Sequence, residues 1–456
     1  MNTPDPEHAI GDTEVEITDL DAPKTGTIPG RYTRRGQVPS LRERIWMRIA
    51  VIEGIALLVI LVLGNVPHPS EPAQVARATI SAAHPRFFSV VDGIAYASSP
   101  DGTVMALRAS DGLLLWRHEG TTAVEESTTV ADAVVVLALL TFENDVRAVR
   151  VDALRASDGS PLWSRTLPSA SAPLVQLTIV NGIVYAMSEV EGLNALRTSD
   201  GSLLWHYTPR TPFVLTLSVA DGVVYAGTQD GHMDALRASD GFPLWQYISL
   251  IPPSSVPPVV ADGLILIILQ DGSMKALRTS NGALLWHSLL PTPLTESPPL
   301  VAEGVVYVST LDGSVSALRQ SSGFTLWRAT LHVPAFLPSI LVGSGAVYVV
   351  AQDGSVSALR ARDGSVLWRF KDGEGGAASM TVAQGVIFLA LQAGGTVALH
   401  ASDGLVLWSS SPLVPTTQLS PLVVDGLVLI TLQDGSMEAL RASNGALLWR
   451  RTMNRE

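Results

Sequence analysis

The chain has 456 residues, of which 47% are hydrophobic and 16% are charged, so it contains enough apolar material for a large buried core. Its formal net charge of −12 disfavours a polyanionic partner such as nucleic acid. Because it contains no cysteine, disulfides, zinc–thiolate sites and cysteine nucleophiles are excluded.

Residues 1–44 are predicted to form a disordered cytoplasmic tail. They contain few large apolar residues and a run of acidic ones, so they cannot bury enough surface to offset the entropy lost on ordering. The acidic residues are Asp5, Glu7, Asp12, Glu14, Glu16, Asp19 and Asp21.

Residues 45–66 are predicted to form one transmembrane helix that acts as a signal anchor. The segment is apolar except for Arg48 and Glu53, and a helix of this length rises by about 33 Å, enough to cross a bilayer. Arg48 lies near the start and can snorkel outward, whereas Glu53 inside hydrocarbon needs a proton or a partner.

The arginines around this segment predict its orientation. Six of them precede the apolar core and none follows until Arg77, so the positive-inside rule places the N-terminus in the cytoplasm and the rest of the chain outside. The six are Arg31, Arg34, Arg35, Arg42, Arg44 and Arg48. A cleaved signal peptide with its core at residues 54–63 is the alternative; the long preceding region and the lack of a small-x-small cleavage site disfavour it.

Residues 67–84, rich in proline and alanine, are predicted to form a linker, and residues 85–456 repeat one phrase. It reads ALRASDGLLLW at residues 106–116. Its nine copies end in tryptophan at intervals of 47, 42, 40, 41, 41, 41, 40 and 41 residues. A period in the forties built of short strands is typical of propeller blades. The tryptophans are Trp116, Trp163, Trp205, Trp245, Trp286, Trp327, Trp368, Trp408 and Trp449.

Each unit predicts a four-stranded antiparallel blade of an all-β fold. In residues 217–245, VVYAGT is apolar and β-branched like a buried strand, and the following QDG supplies the Asp-Gly of a tight hairpin. The repeated tryptophan begins the outermost strand and is predicted to fill the gap between neighbouring blades. The glycine at the seventh position of every copy suits a turn. Units five and nine are nearly identical: LQDGSMKALRTSNGALLW and LQDGSMEALRASNGALLW.

The repeated phrase resembles the tryptophan-docking motif of the PQQ-like (pyrroloquinoline quinone type) propeller family, Ala-x-Asp-x-x-Thr-Gly-x-x-x-Trp. Alanine, glycine and tryptophan match in all nine copies, but the third position is arginine in eight copies and His400 in the other. The resemblance covers about residues 85–456 and implies a β-propeller. The family is usually eight-bladed, so the nine units predict either nine blades or eight with one irregular unit.

The resemblance also implies two kinds of activity. Quinoprotein dehydrogenases of this family hold PQQ over a tryptophan with calcium, and many have a disulfide of adjacent cysteines. This chain has no cysteine and its propeller tryptophans all occupy the docking slot. Its carboxylates recur in Asp-Gly turns, which explains them without calcium. We therefore predict no catalytic residue, no metal site, and neither PQQ nor calcium as cofactor.

The second implied activity is that of a scaffold. The resemblance extends to the propeller lipoproteins that scaffold outer-membrane protein insertion, which are held by a lipidated cysteine that this chain lacks. We predict a membrane-anchored, extracytoplasmic, non-catalytic propeller that binds a protein partner on one face. A quinoprotein oxidoreductase and an extracellular ligand sensor, signalling through Glu53 and the tail, are the alternatives.

Partner-binding residues are predicted where the units differ, since a rigid ring that displays diverse loops is a common way to build a binding site. Unit two replaces the short QDG hairpin seen in units four, five, seven and nine with one about six residues longer, and the connections between blades vary in sequence. The predicted loop residues are Glu143, Asn144, Asp145, Arg147, Phe213, Ile251, Phe336 and Phe370. The repeated arginines are expected to contact turn carboxylates or carbonyls between blades.

Overall fold

The described residues of the computed structural model form nine four-stranded antiparallel sheets, the blades of a β-propeller. They are 87–120, 124–143, 146–168, 175–188, 192–209, 214–295, 297–331, 340–351, 353–372, 376–410, 414–417 and 419–452. Each blade uses four consecutive strands, which pair in chain order. The blade count is therefore nine, and no unit departs from the four-stranded pattern.

The strands are numbered along the chain, and each blade runs from an inner to an outer strand. The inner strands are β1 (Phe87–Val91), β5 (Val124–Ala131), β9 (Val175–Val180), β13 (Val214–Ala220), β17 (Val259–Ala261), β21 (Leu300–Ala302), β25 (Ile340–Gly343), β29 (Ala377–Ala383) and β33 (Leu422–Val424). The second strands are β2 (Ile94–Ser98), β6 (Val134–Glu143), β10 (Ile183–Ser188), β14 (Val223–Thr228), β18 (Leu264–Ile268), β22 (Val305–Ser309), β26 (Ala346–Val350), β30 (Val386–Leu391) and β34 (Leu427–Thr431). The third strands are β3 (Val104–Arg108), β7 (Val146–Arg155), β11 (Gly192–Arg197), β15 (His232–Arg237), β19 (Met274–Arg278), β23 (Ser314–Arg319), β27 (Val356–Arg360), β31 (Thr396–His400) and β35 (Ser436–Arg441). The outer strands are β4 (Leu114–His118), β8 (Pro161–Pro168), β12 (Leu203–Tyr207), β16 (Pro243–Ile248), β20 (Leu284–Ser288), β24 (Thr325–Thr330), β28 (Val366–Phe370), β32 (Val406–Ser410) and β36 (Leu447–Thr452).

Alternating side chains give each blade two buried faces. In blade 1, Tyr96, Ala106 and Trp116 lie opposite one another on adjacent strands and point to the same side of the sheet. They pack against Val135 and Leu137 of blade 2 in one apolar cluster. Because the side-chain period of a strand is two, the other side of blade 1 meets blade 9 in the same way.

The repeated tryptophan joins each blade to the next. Its indole N–H donates a hydrogen bond of 2.7–3.0 Å to a backbone carbonyl oxygen of the following blade. Its ring lies on the seventh-position glycine of that blade: a Cβ built on Gly159 would lie 2.5 Å from Cε3 of Trp116. This glycine also has a φ of +70°, so both its backbone and its missing side chain are needed.

The ninth tryptophan closes the ring. Trp449 of blade 9 donates to the carbonyl oxygen of Ala109 in blade 1 at 2.9 Å, across 340 positions of sequence. Its ring lies on Gly112, where a Cβ would be 2.6 Å from Cδ2 of the indole. Closure therefore uses the same side-chain contact as the other eight blade junctions, with no exchange of strands between the first and last blades.

The predicted tail, transmembrane helix and linker (residues 1–84) lie outside the described residues. Within the part of the chain that the structure describes, no helix has the length and apolar character needed to span a membrane.

Candidate functional site

The propeller has two faces built from different loops. On the connection face, the links between blades meet the hairpins between second and third strands: the amide of Leu294 donates to the carbonyl of Gly272 at 3.0 Å. On the opposite turn face, the first and third turns of each blade meet: the amide of Ala109 donates to the carbonyl of Gly93 at 2.9 Å.

Blade 2 has the longest hairpin on the connection face among the described blades. Strands β6 and β7 each have ten residues, whereas the equivalent strands of the other blades have five or six. The strand pairing continues to Glu143 and Val146, next to Arg147. Glu143 and Arg147 therefore lie at the tip of the hairpin, as predicted from the length of unit two. Asn144 and Asp145 lie outside the described residues.

The predicted apolar contact residues divide into two groups. Ile251 is half-buried against the cluster that contains Tyr225 and Met233 of blade 4. Phe370 is half-buried against the core between blades 7 and 8. Both side chains thus contribute to packing between strands. Phe213 and Phe336 lie outside the described residues.

Four aliphatic side chains that sequence reasoning missed project from the connection face of blades 4–6. Leu250 is fully exposed at 101% relative accessibility, and the others range from 56% to 74%. They are Ile248, Leu250, Leu289 and Leu311. The nearest sequence signal was Ile251, whose neighbour Leu250 is the exposed residue.

Five of the eight repeated arginines pair with a carboxylate of their own turn. The expected contact with turn carboxylates is thus confirmed for these five, whereas the expected position between blades is wrong for them. Arg237 Nη1 lies 2.8 Å from Oδ2 of Asp240, three residues later, and Arg108 and Asp111 form the same pair at 3.0 Å. A carboxylate three positions further on lies in the same tight turn, so it reaches the guanidinium before any neighbouring blade does.

The hairpin aspartates on the connection face are engaged in turns. Oδ1 of Asp271 accepts hydrogen bonds from the amide of Ser273 at 2.9 Å and from its hydroxyl at 2.7 Å. The same arrangement recurs at Asp353 and Asp434. Within the described residues, no group of three or more histidines and carboxylates lies close enough together to hold a metal ion.

The electrostatics of individual groups follow from burial and hydrogen bonding. Hydrogen bonds from the hydroxyl and amide of Ser160, with Arg155 nearby, lower the pKa of Asp158 to about 2. Burial raises the pKa of Tyr185 to about 12. Burial also raises the pKa of Glu438, although Arg450 Nη1 lies 3.3 Å from its Oε1.

One cavity of about 230 Å³ is lined by residues of blades 1 and 2, including His118, Trp163 and Asp152. The carboxylate of Asp152 accepts a hydrogen bond of 2.6 Å from Ser164 and pairs with Arg150 at 2.9 Å. The charged groups of this cavity are therefore satisfied by one another.

Comparison with known proteins identifies the family. The family model described as outer membrane protein assembly factor BamB matches residues 73–173, 147–313, 270–416 and 311–456. The chain belongs to this family. Because the matches together run from residue 73 to the end, they include all nine blades. A search of the curated proteins finds no match.

Solved structures share the propeller fold of this family member at low sequence identity. The computationally designed Ika8 protein is 14% identical, with a TM-score of 0.54 over 71% of this chain and 98% of that chain. BamB from Moraxella catarrhalis is 17% identical, with a TM-score of 0.50 over 79% of this chain and 98% of that one. The C-terminal WD40 domain of Sif2 is 14% identical, with a TM-score of 0.50 over 70% and 95%.

Proposed function

We propose that the chain is a non-catalytic, protein-binding scaffold of the BamB family. The observation that carries this proposal is the contrast between the rigid ring and its variable connection face: every blade junction repeats one tryptophan contact, whereas the loops above it differ. Repetition of the junction fixes the loops in space, and loops held on a rigid frame are suited to recognition. The family description, an assembly factor, supports the same function.

The proposal includes an extracytoplasmic position, with residues 45–66 as the membrane anchor and the N-terminal tail in the cytoplasm. Its support is the sequence of that segment, apolar and preceded by six arginines.

We also propose that the scaffold works without PQQ or calcium. The carboxylates that recur around the ring already accept hydrogen bonds from turn amides, as at Asp271 and Asp434. Binding a cation would require those turns to exchange their hydrogen bonds for metal ligation. Titration of the purified chain with PQQ and calcium, followed by absorbance, is expected to give no spectral change; saturable binding at micromolar PQQ would contradict this part of the proposal.

Crosslinking in native membranes tests the scaffold function. The intact chain is compared with a variant whose hairpin tip, residues 142–147, is replaced by the short QDG hairpin of unit four. A partner captured by the intact chain and lost with the shortened hairpin is the expected result. Capture of the same partners by both versions would assign binding to another surface, and capture of none would contradict a protein-binding scaffold.

A further inference from the structure

The outer rim of the turn face carries many of the exposed large apolar side chains of the described residues, and the exposed phenylalanines among them lie in blades 4 and 6. The residues that follow the third turn carry exposed large apolar side chains in eight of the nine blades, and Phe242 (59%) and Phe324 (71%) are the only phenylalanines among the described ones. Between and beside them lie four exposed leucines. We call this set the aromatic sector: Phe242, Leu244, Leu284, Leu285, Phe324 and Leu326.

The sector is continuous around the rim because each of its turns contacts the tryptophan of the preceding blade. Gly282, in the turn of blade 5, lies against Trp245 of blade 4, and Gly323, in the turn of blade 6, lies against Trp286 of blade 5. Exposed aromatic side chains next to leucines form the apolar centre that protein partners use as an anchor.

Two arginines in this sector lack the carboxylate that their equivalents have. In blades 5 and 6 the turn aspartate is replaced by Asn281 and Ser322. No carboxylate oxygen of the described residues lies within 4.0 Å of the guanidinium of Arg278 or Arg319, whereas five of the six arginines elsewhere in the repeat pair at 2.8–3.6 Å.

The residues that replace the turn aspartate do not bind the arginine side chains in its place. Oδ1 of Asn281 accepts a hydrogen bond from the amide of Ala283 at 3.1 Å, and the hydroxyl of Ser322 has no hydrogen-bond partner within the described residues. Arg278 and Arg319 are both exposed. The sector therefore presents two uncompensated positive charges beside an apolar surface, on a chain whose net charge is −12.

We propose that the aromatic sector, with Arg278 and Arg319, is a docking surface for an acidic segment of a partner protein. Carboxylates of that segment pair with the two guanidinium groups, and its apolar side chains cover Phe242 and Phe324. Arginine suits this role because its planar donors match a carboxylate. The inference rests on the proposed scaffold function and adds a second binding surface, on the turn face, with a stated partner chemistry.

Unit nine provides a matched control. Arg441 lies in an almost identical phrase, also with an asparagine (Asn444) in place of the turn aspartate, and no described carboxylate oxygen lies within 4.0 Å of its guanidinium. Its surroundings expose aliphatic side chains such as Leu447 and Leu448, without a phenylalanine. If binding depends on the aromatic sector and not on an unpaired arginine alone, replacing Arg278 weakens binding of the partner and replacing Arg441 does not.

The test measures fluorescence anisotropy of a short labelled peptide that alternates Glu with Leu or Phe, titrated with the full chain in detergent. The double variant Arg278→Glu/Arg319→Glu is expected to weaken binding at least about 10-fold, equivalent to about 1.4 kcal/mol. Arg441→Glu is expected to change the affinity less than about 2-fold. A peptide with Lys in place of Glu is expected to bind the double variant better than the unchanged chain. Because both arginines are exposed, the urea midpoint serves as the folding control.

Three results would overturn the proposal: no binding of the Glu peptide, equal losses in the double variant and Arg441→Glu, or equal binding of Glu and Lys peptides. The proposed scaffold function is tested separately by the membrane crosslinking. Partners that crosslink to the double variant as to the unchanged chain would leave the scaffold standing and remove this surface.

Discussion

Replacing Trp449 by alanine tests how the ring is closed. The indole of Trp449 is 7% exposed and donates to Ala109, the junction between the last and first blades. Removing a buried tryptophan costs about 3–5 kcal/mol, through lost packing, a cavity and an unsatisfied carbonyl. This junction is the one place around the ring where adjacent blades are not consecutive in the chain, so the lost contact is expected to open a seam there.

Trp286→Ala is the control. Trp286 is also 7% exposed and belongs to the near-identical unit five, but it joins blade 5 to blade 6, which the chain links through residues 289–299. Both variants are expected to lose similar global stability in urea. The link holds blades 5 and 6 together after the contact is lost, so opening there gains less chain entropy.

Amide hydrogen exchange distinguishes the two variants. In Trp449→Ala, a local loss of about 3–5 kcal/mol is expected to speed exchange in blades 1 and 9 by roughly 10²–10⁴-fold. In Trp286→Ala, the acceleration in blades 5 and 6 is expected to be at least about 10-fold smaller. Equal acceleration at the two junctions would refute the assignment of Trp449 as the closing contact.

Three further variants test the packing and the electrostatics by urea unfolding. Gly323→Ala places a Cβ 2.6 Å from Trp286 and is expected to cost at least about 2 kcal/mol, whereas Gly304→Ala, at the same positive φ but with open space, is expected to cost about 1 kcal/mol. Glu438→Gln is expected to be less stable than the unchanged chain at pH 4 and to recover relative to it at pH 7. Burial raises the pKa of Glu438, so the native state of the unchanged chain is stabilised by the protonated carboxyl at low pH. The unchanged chain loses this stabilisation as the pH rises through the folded pKa. Tyr348→Phe, which removes a hydroxyl that donates at 3.2 Å, is expected to cost about 0.5–1.5 kcal/mol.

Each of these has a contradicting result. Equal costs for the two glycine variants would mean that the tryptophan does not rest on Gly323. A relative stability of Glu438→Gln that does not change between pH 4 and pH 7 would mean that burial does not raise this pKa. A loss above about 3 kcal/mol for Tyr348→Phe would conflict with Phe388, which occupies the same slot beside Trp408 without a hydroxyl.

The repeat determined most of the fold in advance. Its period and its Asp-Gly turns predicted four-stranded blades, and the tryptophan slot predicted a contact between blades. The number of blades was not predictable, because closure depends on small rotations summed over all junctions. The seventh-position glycine has a second role, because the tryptophan of the preceding blade rests on it. This role was not predictable, since a sequence does not show which chain segment approaches a turn.

The candidate surfaces were only partly predictable. The long hairpin of blade 2 was visible as extra length, and its strands extend as expected to Glu143. Ile251 and Phe370 looked like loop residues yet are half-buried, because their strands and connections lie between packed sheets. The exposure of Phe242 and Phe324 was missed: the phrase varies at that position, and its degree of burial depends on how the outer strands diverge at the rim.

Cryo-electron microscopy of the chain crosslinked to its partner in native membranes would show the number of blades and the bound surface together. The claim is that a closed ring of nine blades binds proteins on its surface. Nine blades are expected, with protein density against the connection face or the aromatic sector. A ring of eight blades, or density for a small molecule on the axis with no protein attached, would contradict it.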